Sequence, residues 1–209
     1  LIPTWISSAM GTTSSVPALT DKTNKVQLRN VHNGEFLYCG SKTLDEERRH
    51  VLTWIGKAND DPAMNWEPVP VTDKNNITGY KLKNNRGEFL YVGSKCLDDS
   101  RRYALTWVGN AYDDPAMLWK LVPEDKERAL FRIRNIRTGE YLYVGSKTLD
   151  SQRRLALTWK GQANEDPAMV WEVLGLGVAG KTKEMFKDSP TIRQEVKDEV
   201  DSIITSYDW

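Results

Sequence analysis

The chain has 209 residues, of which 39% are hydrophobic and 28% are charged, and its 29 basic side chains equal its 29 acidic ones. This composition is typical of a soluble globular protein and excludes a disordered chain, a collagen or a bundle of membrane helices. Zero net charge offers no global basic surface to a nucleic acid, and no apolar run is long enough for a spanning helix. We therefore expect neither a nucleic-acid partner nor a membrane span.

The first 24 residues are rich in serine and threonine and contain Pro3 and Pro17. This composition predicts an irregular N-terminal arm over residues 1–24. The arm lacks the basic start and the apolar core of a signal peptide. Because the chain begins at leucine rather than methionine, we expect that its amino terminus has been trimmed.

The middle of the chain contains one block written three times, at residues 34–66, 87–119 and 139–171. The copies align without a gap, and most positions carry the same residue in all three. The shared text is G-E-aromatic-L-Y-x-G-S-K-x-L-D-x-x-R-R-x-x-L-T-W-x-G-x-A-x-x-D-P-A-M-x-W. Such periodicity is the signature of an architecture built from repeated units. It accounts for six of the eight tryptophans.

Each repeat contains four candidate strands, which in the first repeat are 25–31, 35–39, 50–55 and 64–69. Glycine, asparagine and Asp-Pro pairs between them are typical of turns. Three copies of four short strands predict an all-β fold, a β-trefoil of three repeats of about 52 residues, because closure removes exposed strand edges. The trefoil is expected over 25–174, with repeats 25–71, 79–123 and 129–174. A three-bladed propeller is the competing architecture.

The residues after the repeats predict a linker and an amphipathic C-terminal α-helix over 175–209. Ser189-Pro190 has the pattern of a helix start, and apolar residues then recur at helical spacing. A helix of this length is marginal alone in water, so its apolar face should be buried. It is expected to pack on the trefoil of its own chain, or alternatively on a partner helix, which gives a possible homodimer.

The block ends in Met64-Asn65-Trp66, Met117-Leu118-Trp119 and Met169-Val170-Trp171, which resembles the closing Q-x-W signature of ricin-B-like trefoils, with methionine in place of glutamine. This resemblance implies a trefoil fold and a sugar-binding function. The arginine, tryptophan and glycine spacing of the block and its late tryptophan are also similar to the trefoil domain of small insect haemolymph lipoproteins. That likeness implies a carrier or storage role.

The repeated polar and aromatic residues predict up to three equivalent glycan-binding sites. Aromatic rings can stack on the apolar face of a sugar, while charged side chains bond to its hydroxyls. The arginine doublets also suit a sulfated or phosphorylated ligand. A purely structural interpretation stays open, with Asp45 and Arg48 or Arg49 as a loop ion pair and Asp61 bonding its turn backbone. The candidate ligand-binding residues are Tyr38, Lys42, Asp45, Arg49, Trp54, Tyr91, Lys95, Asp98, Arg102, Trp107, Tyr143, Lys147, Asp150, Arg154 and Trp159.

Other functions receive less support from the sequence. A carrier needs a lipid-sized cavity, expected under the tail helix. A protein inhibitor needs an exposed unrepeated loop, and 73–79 and 124–127 are the candidates. No recognisable nucleophile motif or phosphate-binding loop is present, so we expect a non-enzymatic binding protein. With two histidines and two cysteines we expect no metal and no cofactor.

The two cysteines, Cys39 and Cys96, occupy different columns of different repeats, so we expect no disulfide between them. Cys39 replaces a valine and is expected to be buried. Asn76-Ile77-Thr78 is an N-glycosylation sequon. The sequon and the trimmed amino terminus together favour an extracellular, secreted protein whose partners are glycans or another extracellular ligand.

Overall fold

The computed structural model describes residues 25–57, 60–72, 78–108, 114–161 and 166–175. Within these residues each repeat contributes four strands and one turn of 3-10 helix in the same order. The strands are β1 Val26–Asn30, β2 Phe36–Thr43, β3 Arg48–Trp54, β4 Trp66–Thr72, β5 Thr78–Asn84, β6 Phe89–Cys96, β7 Arg101–Trp107, β8 Trp119–Asp125, β9 Leu130–Asn135, β10 Tyr141–Thr148, β11 Arg153–Trp159 and β12 Val170–Gly175. The 3-10 turns are Pro62–Met64, Pro115–Met117 and Pro167–Met169.

Six of the strands close into a barrel. Antiparallel pairing runs from β1 to β4, β5, β8, β9 and β12, and β12 pairs with β1 again. Every strand of this ring is either the first or the fourth of its repeat. Because the last strand pairs with the first over Val26–Asn30, the ring has no open edge.

The other six strands form three hairpins that cover one end of the barrel. β2 pairs with β3, β6 with β7, and β10 with β11. The second strands of the hairpins also pair with one another, β3 with β7, β7 with β11 and β11 with β3. A six-stranded barrel closed at one end by three hairpins is the β-trefoil arrangement, and the propeller is excluded.

The barrel is filled by the closing tryptophans and their neighbours. Trp66, Trp119 and Trp171 are fully buried. Their indole N–H groups donate to the carbonyl oxygens of Leu37, Leu90 and Leu142 at 3.0–3.1 Å. Met64, Met117 and Met169 are buried beside them. The tryptophan therefore fixes the hairpin of its own repeat to the barrel, as an amphipathic ring does when its one donor finds a partner.

An Asp-Pro pair that occurs in all three repeats stabilises the turn before each closing tryptophan. Asp61, Asp114 and Asp166 each accept a hydrogen bond at 2.8 Å from the amide two residues later. The proline at the first helical position needs no donor of its own. The structural interpretation of this aspartate is confirmed. Gly34, Gly87 and Gly139 have φ of +71 to +85°, which favours glycine at the turn into each hairpin.

The predicted fold class needs a correction. It added a C-terminal α-helical extension to the all-β repeats, and the described residues contain strands and 3-10 turns but no α-helix. The predicted helix, at 189–209, lies outside the described residues. Apolar residues at helical spacing do not by themselves establish a helix, because a helix of this length depends on tertiary packing for its stability. The β1–β12 pairing closes the barrel with residues up to Gly175 and needs none beyond it.

Other predictions also concern residues outside the described ranges. These are the N-terminal arm at 1–24, the sequon asparagine Asn76 and almost all of the linker and tail at 175–209. The lipid cavity expected under the tail and the homodimer expected through it depend on the same residues. The predicted domain boundaries stay a prediction.

Candidate functional site

The pairing of the three hairpins brings the arginine doublet of each repeat beside the next repeat. In the β3–β7 ladder Arg48 lies opposite Trp107, and Arg49 lies opposite Thr106. Successive residues of a strand point to opposite faces. The two members of the doublet therefore have different environments, one beside an indole ring and one beside a buried threonine. The β7–β11 and β11–β3 ladders repeat this arrangement.

A tyrosine and a tryptophan form the aromatic wall predicted from the sequence. The ring centroids of Tyr38 and Trp54 are 6.2 Å apart, with a tilt of 49°. The corresponding distances in the other repeats are 6.0 and 6.1 Å, with tilts of 45° and 46°. All six rings are half-buried, so each pair keeps part of its surface toward solvent. The three pairs have nearly the same geometry.

One cavity beside these aromatic pairs lies between the first and second repeats. It has a volume of about 570 Å³ and is lined by Asp45, Glu46, Glu47, Arg48, Tyr91, Trp107 and Asp114. The loop comes from the first repeat and the rings from the second. The Trp107 indole N–H donates to Glu47 Oε2 at 2.8 Å, and the Val108 amide donates to the carbonyl oxygen of Glu47 at 3.1 Å. This volume falls in the range of small-molecule sites.

The same cavity recurs between the second and third repeats, with a volume of about 420 Å³. It is lined by Asp98, Asp99, Ser100, Arg101, Tyr143, Trp159 and Asp166. The third interface joins the third repeat to the first, where the Trp54 indole N–H points at Gln152 Oε1, 3.4 Å away. The Ile55 amide donates to the carbonyl oxygen of Gln152 at 3.1 Å. We call these three places the inter-repeat pockets, of which the first two have a described cavity.

Each pocket contains one tight ion pair that shapes its loop. Asp45 accepts from the Arg48 Nε at 2.7 Å and from the Arg48 amide at 2.8 Å. The hydrogen bond from Arg48 lowers the pKa of Asp45 below its ordinary value. Arg101 and Arg153 likewise lower the pKa of Asp98 and Asp150. Both members of each pair are more than a third exposed, so the pair orders the loop and adds little stability.

The other arginine of each doublet points away from the pocket and pairs with a buried glutamate of a neighbouring repeat. We call these three contacts the ring of buried ion pairs. Arg49 Nε donates to Glu88 Oε1 at 2.8 Å, and Glu88 Oε2 accepts from Thr106 at 2.6 Å. Arg102 bonds Glu140 and Arg154 bonds Glu35 in the same way. Every pair joins one repeat to the next. These arginines connect the repeats and are not available to a ligand in the pockets.

The predicted site residues thus separate into three groups. The tyrosines, tryptophans and aspartates come together, but Asp45 meets Tyr91 and Trp107 of the next repeat, not the rings of its own. Arg49 and its copies lie in the buried ion pairs. Lys42, Lys95 and Lys147 are exposed and do not line the two pockets described above. Whether any of these residues binds a ligand stays a prediction.

The sequence analysis missed two sets of pocket residues. Arg48, Arg101 and Arg153 were considered only for a loop ion pair, and Arg49, Arg102 and Arg154 were chosen as the ligand-binding members of the doublets. The loop residues Glu46, Glu47, Asp99 and Ser100 were passed over because they differ between repeats. A strand extended by two residues, with its alternation of faces, was the signal that could have separated the members of the doublet.

A further cavity of about 400 Å³ lies where the hairpins meet. It is lined by Leu44, Arg48, His50, Gly93, Ser94, Lys95, Tyr103 and Leu105. The rings of His50 and Tyr103 are 5.3 Å apart. His50 Nδ1 is buried without a hydrogen-bond partner, and burial lowers the pKa of this imidazole, which favours its neutral form.

Both cysteines are free, as the sequence predicts. Cys39 is fully buried. Its burial, and to a smaller extent the nearby Glu88 carboxylate, raise the pKa of its thiol to about 11. Cys96 is exposed. In the described part of the chain, no three His, Cys, Asp or Glu residues are grouped so that they could hold a metal ion. No helix among these residues has the length and apolar character needed to cross a bilayer.

No protein-family model matches the chain, and no curated protein matches it. Several solved structures, in contrast, are similar to the chain in fold. The SDF2-like protein from Arabidopsis thaliana aligns with a TM-score of 0.61 at 14% identity, covering 75% of this chain and 95% of that protein. The designed threefold symmetric protein ThreeFoil aligns with a TM-score of 0.58 at 15% identity, covering 73% and 99%.

A salivary protein of the Cysteine and Tryptophan-Rich family from a Culex mosquito aligns with a TM-score of 0.55 at 20% identity, covering 74% of this chain and 94% of that protein. At these identities the similarities establish the fold alone. They support the trefoil architecture predicted from the repeats. They do not test the likeness to ricin-B-like proteins or to haemolymph lipoproteins.

Proposed function

We propose that the protein is a non-enzymatic binding protein that recognises glycans at its inter-repeat pockets. The observation that carries this proposal is the repeated aromatic pair beside a polar loop, with cavities of about 570 and 420 Å³ at two of the three interfaces. A half-buried tyrosine and tryptophan offer ring surface to the apolar face of a sugar. The loop carboxylates supply polar contacts for its hydroxyls.

The arrangement of the three pockets suits a multivalent ligand. They are related by the threefold repetition of one rigid barrel, so several can engage the same polymeric surface at once. Linked sites raise the effective concentration of each other's ligand and convert weak single contacts into strong overall binding. This favours a polysaccharide or a densely glycosylated surface over an isolated small sugar.

We further propose that the protein acts outside the cell. The sequon at Asn76 supports this, as does the similarity to a salivary protein of Culex. Exposed Cys96 does not decide the compartment, because one thiol is compatible with either. Treating the protein purified from its native source with an N-glycosidase tests the sequon directly. A loss of mass after treatment is expected, and an unchanged mass would contradict glycosylation.

The glycan proposal is tested by screening the protein on a glycan array at low ionic strength, followed by titration of the best ligand. We expect Trp107→Ala to abolish binding at the first pocket, with smaller losses for Trp159→Ala and Trp54→Ala at the others. Leu97→Ala is the matched control, because Leu97 is an exposed apolar residue that lines neither the cavity of the first pocket nor that of the second.

The fold of every variant is checked by circular dichroism, so that lost binding is not confused with unfolding. Glycan binding that survives all three tryptophan substitutions would place the site elsewhere. An array without signal for neutral, charged and amine-bearing glycans would refute the proposal.

A further inference from the structure

The charged residues that line the inter-repeat pockets are predominantly acidic. The first pocket has four carboxylates, on Asp45, Glu46, Glu47 and Asp114, and one guanidinium, on Arg48. Arg48 is paired with Asp45, and Asp114 is paired with Arg137 at 3.4 Å. Glu46 and Glu47 are exposed and form no ion pair among the described residues. A ligand in this pocket therefore meets negative charge beside an aromatic wall.

The negative charge of the two variable loop positions decreases from the first interface to the third. The second has three carboxylates, on Asp98, Asp99 and Asp166, and one guanidinium, on Arg101. At the third interface the two loop positions between Asp150 and Arg153 are Ser151 and Gln152, which are neutral. The residue that follows the pocket tryptophan also differs between the repeats. It is Val108 at the first pocket, Lys160 at the second and Ile55 at the third. The frame is the same in all three, and the charge is not.

Carboxylates beside the face of a tryptophan and a tyrosine are the chemistry that recognises a cation. The ring faces attract positive charge through their quadrupole, and this attraction strengthens as the cation is desolvated. Coulombic attraction to the loop carboxylates adds to it. An oxyanion is disfavoured in the same place, because every pocket arginine is held by an aspartate and every other arginine of the doublets by a buried glutamate.

We infer that the inter-repeat pockets select sugars carrying a protonated amine, and that the pocket between the first and second repeats binds them most tightly. This inference rests on the proposed glycan function and names the class of glycan. The amine lies against the face of Trp107, near Glu46 and Glu47, while the sugar ring packs on the aromatic pair. The same charges disfavour the sulfated ligand considered from the sequence.

The test compares glucosamine oligomers with N-acetylglucosamine oligomers of the same length, which differ in the charge at each nitrogen. Titrations are run at low ionic strength, at a pH below the pKa of the sugar amine and above those of the carboxylates. The indole N–H signals of Trp107, Trp159 and Trp54 in proton–nitrogen NMR spectra each report one pocket. We expect the amine form to bind about ten-fold more tightly, with Trp107 responding first, then Trp159 and then Trp54.

The chain supplies its own matched variants. Converting the first loop to the third with E46S/E47Q should reduce the preference for the amine form over the acetylated form at Trp107 by about ten-fold, because it removes both carboxylate charges. The reverse change, S151E/Q152E, should strengthen binding at Trp54 by a similar factor. Glu67→Gln removes a charge from β4, outside the two pocket linings, and should change neither.

The outcomes separate this inference from the function on which it rests. Equal binding of the two oligomers, unaffected by E46S/E47Q, would overturn the selection for amines and leave glycan binding intact. Tighter binding of the acetylated oligomer would do the same. Binding of the amine form that also responds to Glu67→Gln would show bulk charge attraction and overturn the assignment to the pockets. If neither oligomer nor any array glycan binds, both proposals fail.

Discussion

The ring of buried ion pairs between the repeats leads to a prediction about stability. Arg49 and Glu88 join the first repeat to the second, with side-chain exposures of 19% and 4%. Arg49→Ala leaves the Glu88 carboxylate buried without its cation. Removing one partner of a buried pair costs about 3–5 kcal/mol. Glu88 keeps hydrogen bonds from Thr106 and Asn84, so we expect the lower end, a loss of about 3 kcal/mol in the free energy of unfolding.

The assay is thermal and denaturant unfolding of the purified protein and the variant. For a domain of this size, about 3 kcal/mol corresponds to a decrease in Tm of about 6–12 °C. Arg48→Ala is the control, because Arg48 precedes Arg49 on the same strand and its aspartate partner is exposed. We expect no measurable change in Tm for that variant. If the two variants lost the same stability, the distinction between the arginines would be refuted.

The pH dependence of the same variant gives an independent check. Burial alone would raise the pKa of Glu88, but hydrogen bonds from Thr106, Arg49 and Asn84 outweigh it and the pKa is lowered. Because the folded pKa is depressed, this stability is present above the unfolded value of about 4.3 and is lost as the pH falls through the folded pKa. The loss in the free energy of unfolding caused by Arg49→Ala should therefore be largest at neutral pH and become smaller at acidic pH. A deficit that does not depend on pH would mean that lost packing, not charge, causes it.

Two further predictions concern the core and the thiols. Met117→Ala removes a side chain that is 1% exposed and should reduce the free energy of unfolding by about 2–5 kcal/mol, measured by urea denaturation, whereas Leu97→Ala at 41% exposure should change it little. Equal effects would contradict the assigned core. In the folded protein a maleimide should label Cys96 but not Cys39, whose thiol is buried and has its pKa raised to about 11. Labelling of Cys39 without denaturant, detected by peptide mass spectrometry, would contradict its burial.

Much of the fold could be predicted from the sequence, because the same core residues and the same turn residues occur in each of the three repeats. The closing tryptophans and methionines are buried as expected, and the aspartate before each Pro-Ala-Met bonds its own turn. These predictions concern one repeat at a time and depend on local chemistry. Strand ends were less accurate, since β3 begins at Arg48 and β2 continues to Thr43. Polar residues at the ends of hairpin strands do not show the apolar alternation on which such predictions depend.

The candidate site was harder to predict because its parts come from different repeats. A single repeat contains Tyr38, Trp54, Asp45 and Arg49, and the sequence shows no reason why the aspartate should meet the rings of the following repeat. The β3–β7 register decides that, by placing Arg48 opposite Trp107 and Arg49 opposite Thr106. Long-range strand register depends on closure of the whole barrel, which no local pattern encodes.

The comparison of the three copies gives a different lesson about specificity. The residues that are identical in all three, such as Asp45, Arg48, Arg49 and Trp54, form the ion pairs and the aromatic wall that recur at every interface. The residues that differ, at positions 46 and 47 and their counterparts, lie at the pocket where a ligand would be held. Identity among the copies therefore reports the shared geometry. If the pockets bind ligands as proposed, we expect the differences between the copies to set their selectivity and ligand charge to matter most at the pocket with Glu46 and Glu47.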